Sequence, residues 1–512
     1  MSDVSLSTPT PTESTPNDLQ HSYAGWARQL GMVLALAALA DWLFYGHAIG
    51  ISAMAFLIAL DAGVVLANPR CASRRDMLIA LGVLIVSIVP LAVEISILSV
   101  LFGALGAAYF ALATTRSGES WIDRVRDSIA LLLDGTWQAA ADICKASQSW
   151  AKGAEPTRRL GGLVVWVVPL ALGTIFVLLF VAANPLIEEW FAAFDFRRGA
   201  AKISFVRIGF WLAALSLIWP FIFMRARSML REHAAAEVRA FAVMGPDIGP
   251  SPGLLLGKGA VLRSLLLFNA LFAVQTVLDI TYLWGGVALP EAMTYAAYAH
   301  RGAYPLIVTA LLAAAFVIMT MRPGSEAERS PLIRTLVFLW TGQNVLLVIS
   351  SILRLDLYVA FYSLTYWRVA AFVWMLLVAA GLMLIVARIA LGRSNSWLVT
   401  MNFGSLALAL YICCFINFPQ LIANYNVEHS RQLSGTGTTI DTAYLVSLGP
   451  QAIPAMDKFF LPRREFYTWS QELKQRNAFA ASHNDRMQDW RGWTYRNWKL
   501  MQYLQREGIV RP

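Results

Sequence analysis

Long apolar runs separated by short polar segments dominate the chain between residues 28 and 418. About eleven runs have the length that a helix needs to cross a hydrocarbon core of roughly 30 Å. These spans are predicted at residues 28–45, 49–67, 77–93, 95–113, 161–183, 203–224, 260–285, 303–321, 332–353, 367–388 and 396–418. The runs are continuously apolar and rich in Leu and Ala, unlike the short alternating strands of a membrane barrel. The pattern predicts an all-α fold, a multi-pass transmembrane helical bundle.

The two ends of the chain differ from this bundle. Residues 1–26 are rich in Ser, Thr and Pro, which predicts a disordered tail, and no cleavable signal peptide precedes the first span. Residues 419–512 hold 12 Lys and Arg against 8 Asp and Glu and no further span, which predicts a small helical domain. Its "TIDTAYLVSLGPQAIPAMDKFF" indicates two short helices broken at Gly449-Pro450, with Thr439 or Asp441 as a cap. The later "DWRGWTYRNWKLMQYLQREG" predicts one long amphipathic helix carrying Trp490, Trp493, Trp498 and Tyr503, which packs on the bundle or the bilayer surface or stacks on a ligand.

Composition supports the membrane interpretation, because 57% of the 512 residues are hydrophobic, 14% are charged and the mean hydropathy is +0.56. Basic residues then predict the orientation. The loops after the even-numbered spans hold nineteen Lys and Arg, while the alternate loops hold six. Since positive loops stay on the cytoplasmic side, the N-terminus is expected inside and the C-terminus outside. Topology thus accounts for much of the net charge of +9, and binding to nucleic acid is not expected.

Two expected cytoplasmic segments, near 118–150 and 225–255, show helical periodicity. In the first, Trp121, Ile122, Val125, Ile129, Leu132 and Leu133 recur opposite Arg124, Arg126 and Asp127. This pattern is typical of a helix in the membrane interface, and a helix that merely caps the bundle is the alternative. In the second segment His233 and Glu237 are four residues apart, but no second histidine or carboxylate cluster accompanies them, so a metal site is not expected.

No nucleotide-binding, metalloprotease or hydrolase motif occurs. The four cysteines have neither a disulfide framework nor zinc-ligand spacing, so no catalytic residue, metal or cofactor is predicted. Scattered carboxylates and arginines leave an enzyme open, although a non-enzymatic role is favoured.

The candidate site is a group of polar residues at the expected outer ends of the spans. "YAHRGAYPL", at 298–306, joins two spans there, and Asp41, Glu94 and Arg207 are expected at a similar depth. Charged residues in spans usually turn inward and pair. We therefore predict a polar cup in which Arg301 or Arg354 pairs with Asp279 or Glu94. The candidate ligand-binding residues are Asp279, Tyr298, His300, Arg301, Arg354, Tyr358 and Arg368. Anchoring at the membrane interface is the alternative role for "YAHRGAYPL", and helix-to-helix hydrogen bonding explains the nearby amides equally well.

Several separated motifs resemble a known family. They are "YAHRGAYPL", "LRLDLYVAFYSLTYWR", "NYNVEHSRQ" followed by "DTAYLVSLGPQAIPAM", and "DWRGWTYRNWK". In this order they resemble the bacterial membrane family called domain of unknown function 4173, over the second half to two thirds of the chain. The resemblance implies a bacterial plasma-membrane protein with a C-terminal outer segment, and it brings no activity or catalytic residues.

Two classes of function follow. The first is a non-enzymatic envelope protein that binds, senses or scaffolds, with the bilayer and an envelope protein or small ligand at the outer face as partners. The second is a transporter of a small solute or a membrane-embedded transferase at the outer leaflet. No internal repeat of the kind found in many transporters is evident, which favours the first class.

Overall fold

The computed structural model describes residues 16–68, 72–116, 120–135, 141–142, 205–224, 258–284, 329–435, 437–467 and 470–509. Within these ranges the regular structure is helical and no strand occurs. The α-helices are α1 (Pro16–Phe44), α2 (Ile51–Ala67), α3 (Arg74–Val93), α4 (Ile97–Thr115), α5 (Trp121–Asp134), α6 (Phe205–Ile222), α7 (Lys258–Asp279), α8 (Pro331–Tyr362), α9 (Tyr366–Ala390), α10 (Asn395–Cys413), α11 (Phe418–Glu428), α12 (Arg431–Ser434), α13 (Thr442–Ser447), α14 (Ile453–Phe460), α15 (Arg464–Tyr467), α16 (Gln471–Met487) and α17 (Tyr495–Arg506).

Nine of the predicted spans fall on helices α1–α4 and α6–α10 of the described residues. Seven of these helices are long and apolar enough to cross a membrane, and α2 and the apolar part of α6 are slightly shorter apolar helices. The predicted spans 161–183 and 303–321 lie outside the described residues. Helix α1 begins at Pro16 and so reaches into the segment 1–26 for which disorder was predicted.

The chain forms two compact units. Unit 1 comprises Met1–Val243 with Asp489–Thr494, and unit 2 comprises Met244–Gln488 with Tyr495–Pro512. Each has its own apolar core. The core of unit 1 is drawn from α1–α6, whereas unit 2 has several smaller clusters along α7–α10 and among the C-terminal helices.

Contacts at helix ends show how α1, α2, α4 and α6 of unit 1 are directed relative to one another. Asn68, after α2, donates from Nδ2 to the carbonyl of Ile222 at the end of α6 (3.1 Å), and Thr115, at the end of α4, donates to Met224 Sδ (3.5 Å). At the opposite end Arg207, near the start of α6, pairs with Asp41 of α1. Helices α2, α4 and α6 therefore run in one direction, and α4 ends where α6 also ends.

The segment Asp489–Thr494 packs on the turn between α1 and α2. Ile51 donates its backbone N–H to the carbonyl of Trp493 (2.8 Å), and a Cβ on Gly50 would lie 2.5 Å from that oxygen, so only glycine fits there. Arg491 lies over the Trp42 ring, 4.5 Å from its centroid. The single long helix predicted from Trp490 onward is therefore wrong: Trp490–Gly492 is a 3-10 turn of unit 1, and α17 begins at Tyr495.

Helix α5 packs on the rest of unit 1 through a mixed face, in which Leu131 joins the apolar core beside buried polar side chains. Arg124 and Asp127 are buried, and Asp127 accepts from Arg116 at 2.8 Å. Leu132 of the predicted apolar face packs against the core, whereas the other five side chains of that face are exposed, namely Trp121, Ile122, Val125, Ile129 and Leu133. An exposed apolar face favours the interfacial helix over a helix that only caps the bundle.

In unit 2, α7 and α8 run in the same direction. Asn269 of α7 donates to the carbonyl of Leu336 (3.1 Å), and Asp279, ten residues later, pairs with Arg354. Helix α9 returns after a short turn at Ser363–Thr365. The C-terminal helices pack at the Tyr362 end of α8, where Val359 and Leu364 join a core with Ile422 and Phe459.

The predicted break in the C-terminal segment is confirmed. Asp441 caps α13 by accepting from the backbone N–H of Tyr444 (2.9 Å), and Gly449 has a positive φ of 83°. A 3-10 turn, Pro450–Ala452, then leads into α14.

Candidate functional site

An ion pair between Asp279 and Arg354 joins α7 to α8. Both side chains are almost fully buried, at 3% and 4% exposure. Gln275 Nε2, one turn earlier on α7, donates to Asp279 Oδ1 (2.9 Å). The predicted pairing of an arginine with Asp279 is therefore confirmed for Arg354. A buried pair of this kind fixes the register of two helices, and removing one partner leaves an uncompensated charge.

The backbone changes form directly after Asp279. Residues Ile280–Trp284 make a turn of π-helix, a form that is rare and is frequently found at functional sites. Trp284 donates from Nε1 to Ser350 Oγ of α8 (3.2 Å), which holds the end of this turn. The ion pair and the π-turn thus lie together at one end of the contact between α7 and α8.

Buried amides continue the polar contact toward the middle of α8. Gln343 Nε2 donates to the carbonyl of Asn269 (3.2 Å), and Asn344 Nδ2 donates to that of Trp340 (2.8 Å). Their side-chain oxygens, Asn269 Oδ1, Gln343 Oε1 and Asn344 Oδ1, are buried and accept no hydrogen bond within the described part of the chain. The amino groups of Asn269 and Gln343 thus donate between the helices and that of Asn344 donates within α8, while the three acceptor oxygens are left over.

Tyr358 and Arg368 form a second contact at the Tyr362 end. The Arg368 guanidinium lies over the Tyr358 ring at 4.5 Å and donates to the carbonyls of Tyr362 and Ser363. Ser363 has a φ of 67°, in the left-handed region. Arg368 therefore satisfies carbonyls at the end of α8, where a cation is favourable.

The structure thus brings four of the seven candidate residues together as two pairs, Asp279 with Arg354 and Tyr358 with Arg368. Arg354 and Tyr358 are four residues apart on α8, a spacing that puts them on one face. Tyr298, His300 and Arg301 lie outside the described residues, so their place in the site stays a prediction. His233 and Glu237 lie outside them as well.

The side chains that hold the turn between α8 and α9 were not predicted from the sequence. Asn426 Oδ1 accepts from the backbone N–H of Leu364 (2.6 Å), and its Nδ2 donates to the Leu364 carbonyl (2.9 Å). The Tyr444 hydroxyl accepts from the N–H of Tyr366 (3.2 Å). Both residues occur in the motifs that carry the family resemblance, and this was the available signal.

A second arginine–aspartate pair lies in unit 1. Arg207 Nε donates to Asp41 Oδ1 (2.9 Å), Arg207 Nη2 donates to the other oxygen, and Trp211 Nε1 donates to Oδ1 (3.1 Å). The sequence places both charges at a similar depth, but nothing in it indicates that they pair. No group of three or more His, Cys, Asp or Glu that could hold a metal occurs in the ranges that the structure covers.

Comparison with known proteins places the chain in a family. No curated protein and no solved structure matches the chain. The model of a domain of unknown function, DUF4153, matches residues 78–459. The family number 4173 predicted from the motifs is therefore wrong, while the expectation of an uncharacterised domain family is confirmed. The match also begins earlier than the resemblance did and includes α3 and α4. Because it spans most of the 512 residues, the chain belongs to the DUF4153 family.

Proposed function

We propose that this protein is a non-enzymatic sensor of the bacterial plasma membrane that binds a small anionic ligand at the outer end of α7 and α8. The observation that carries the proposal is the buried Asp279–Arg354 pair, directly before the π-turn. An ion pair at this depth is costly to bury and marks a functional site by default. The C-terminal helices pack at the same end of α8, so a change there reaches them directly.

The proposed topology has eleven crossings, with the N-terminus inside and the C-terminal helices outside. In unit 1, α4 ends and α6 begins at opposite ends of the bundle, so an odd number of crossings between them is required. The predicted span 161–183 supplies one. In unit 2, α7 and α8 run in the same direction, which requires a return crossing, and the predicted span 303–321 supplies it. The ratio of nineteen to six basic residues supports the orientation.

The proposed mechanism is an exchange of partners at Arg354. A carboxylate or phosphate of the ligand would replace Asp279 as the partner of the Arg354 guanidinium, whose planar fork of donors suits both groups. Asp279 would then release the end of α7 and the π-turn, and Trp284 with it. Arg301 and His300, which are predicted to lie at the same depth, would add positive charge to the site.

A charge swap tests this function. The neutral variants Asp279→Asn and Arg354→Gln each break the pair and are expected to lose about 3–5 kcal/mol of stability. The double variant Asp279→Arg with Arg354→Asp restores a pair and should recover most of that stability. It should nevertheless lose ligand binding, because the arginine now projects from α7.

The measurement is the thermal unfolding midpoint in lipid nanodiscs, scanned against small carboxylates, phosphates and sulfates. Complementation of a deletion phenotype is the second readout. We expect an anion that raises the midpoint of the wild type and leaves that of the swapped variant unchanged. If the swapped variant complements the deletion fully, the Asp279–Arg354 pair has only a structural role.

A transporter is the second candidate, and the leftover amide oxygens of Asn269, Gln343 and Asn344 favour it. They lie near the middle of α7 and α8, where transporters often place polar groups next to interrupted helices. Solute-induced currents in proteoliposomes, lost on replacing Asn344 with Leu, would favour the transporter over the sensor.

A further inference from the structure

Asp61 is a buried carboxylic acid in the apolar helix α2. Asp61 is only 2% exposed, and neither of its carboxyl oxygens has a hydrogen-bond partner among the residues that the structure describes. It lies about 9 Å along the helix axis from Ala67, at a rise of about 1.5 Å per residue. Leu57 and Val65, one turn away on either side, pack against the core of unit 1.

Among the side chains that the structure describes, the elements around α2 bring no counter-ion to Asp61. Elements packed against α2 are α1, α3, α4, α6 and the turn Trp490–Gly492. Their described charged or titratable side chains are Arg28, Asp41, Arg74, Arg75, Asp76, Tyr109, Arg207 and Arg491. Arg28, Arg74 and Arg75 are exposed. The other charged side chains of this set have partners elsewhere: Arg207 pairs with Asp41, Asp76 with Arg124, and Arg491 with Asp489.

An ionised carboxylate in such a place is unfavourable. Transferring an unpaired carboxylate into an apolar interior costs several kcal/mol even after relaxation of the protein. A neutral carboxyl avoids most of that cost, because it loses only the hydrogen bonds to water. Two other aspartates in the apolar helices illustrate the contrast, since Asp41 and Asp279 each pair with an arginine.

We propose that Asp61 is a proton-binding site inside the membrane part of unit 1, occupied by a proton at neutral pH. Buried acids of this kind are the elements that proton-coupled membrane proteins use to bind and release protons within a bundle. The inference goes beyond the proposed sensor function, because it concerns another unit and requires no anionic ligand. Both proposals can therefore fail independently.

Infrared difference spectroscopy on the full-length protein in nanodiscs tests the proposal. Subtracting the spectrum of Asp61→Asn from that of the wild type at neutral pH isolates the Asp61 carboxyl. We expect the carbonyl band of a protonated acid in this difference. The matched control is Asp279→Asn, whose difference should show carboxylate bands, since Arg354 stabilises the charged form. Carboxylate bands in the Asp61 difference would overturn the proposal.

Labelling with dicyclohexylcarbodiimide gives a second measurement. This apolar reagent takes the proton of a carboxylic acid on nitrogen while the carboxyl oxygen bonds to its central carbon. The O-acylisourea then rearranges to a stable N-acylurea, with no leaving group. We expect mass spectrometry to find this adduct at Asp61 and not at Asp279. Labelling of Asp279 in preference to Asp61 would contradict the assignment.

Discussion

Asn426 shows how much a single side chain contributes to the attachment of the C-terminal helices. Its amide satisfies both the N–H and the carbonyl of Leu364, which is buried at 6% exposure. Replacing Asn426 with Ala leaves two buried backbone groups unpaired, at about 1–3 kcal/mol each. We expect proteolysis of the C-terminal helices to accelerate in Asn426→Ala. Asn424→Ala, on the same helix and half-buried, is the control, and equal proteolysis of the two variants would show that the contact is unimportant.

The buried histidine His483 is expected to make the stability of the folded chain depend on pH. Burial lowers the pKa of His483 from its ordinary value of 6.5, although its Nε2 donates to the carbonyl of Asn497 (2.9 Å), and nearby Arg486 lowers it further. The unfolded chain therefore binds a proton at a higher pH than the folded chain does. The contribution of the neutral His483 to the stability of the fold is fully present above pH 6.5, and it is lost as the pH falls through the lowered pKa.

Unfolding midpoints measured against pH check this expectation. The wild type should lose stability below about pH 6.5, the ordinary pKa of histidine. His483→Gln removes the titrating group and should flatten the curve in this range. An unchanged slope in His483→Gln would assign the pH dependence to other groups.

At the scale of elements, the sequence predicts the helices of the bundle well, because a long apolar run has few alternatives in a bilayer. Boundaries fail where tertiary contacts decide. The span predicted at 332–353 stops before Arg354, yet α8 continues to Tyr362 with Arg354 paired to Asp279. Likewise, the helical periodicity around Asp489–Thr494 predicts one helix, but the contacts of this segment with the turn after α1 interrupt that helix.

Pairing in the candidate site was predictable only in part. Depth in the membrane can be estimated from sequence, so Asp279 and Arg354 could be matched. Asp41 and Arg207 are 166 residues apart, and their pairing depends on helix neighbours that no local pattern specifies. The contact of Arg368 with the end of α8 could not be predicted either, because it too depends on how the chain folds back after α8.

Helix α5 provides the prediction at this scale. Ile129 lies on the exposed apolar face, while Ala130 is turned by about 100° from it. A polarity-sensitive fluorophore on a cysteine at 129 should report an apolar environment in nanodiscs. The same label at 130 should report a more aqueous one. Equal, water-like emission at both positions would place α5 away from the bilayer.

At the scale of the whole molecule, the side of the membrane on which the proposed site lies depends on the number and direction of crossings. If the C-terminal helices and the Asp279–Arg354 pair are on the outer side, the site is open to ligands from the envelope. An even number of crossings before α11 would bring the same helices to the cytoplasmic side, and the proposed ligand would have to be cytoplasmic.

Paired reporter fusions after residues 190, 240 and 480 test this claim most directly. Alkaline phosphatase, which is active outside, and green fluorescent protein, which is fluorescent inside, would be fused at each position. We predict phosphatase activity at 190 and 480 and fluorescence at 240. Fluorescence at 480 without phosphatase activity would contradict the eleven-span topology and the outer position of the site.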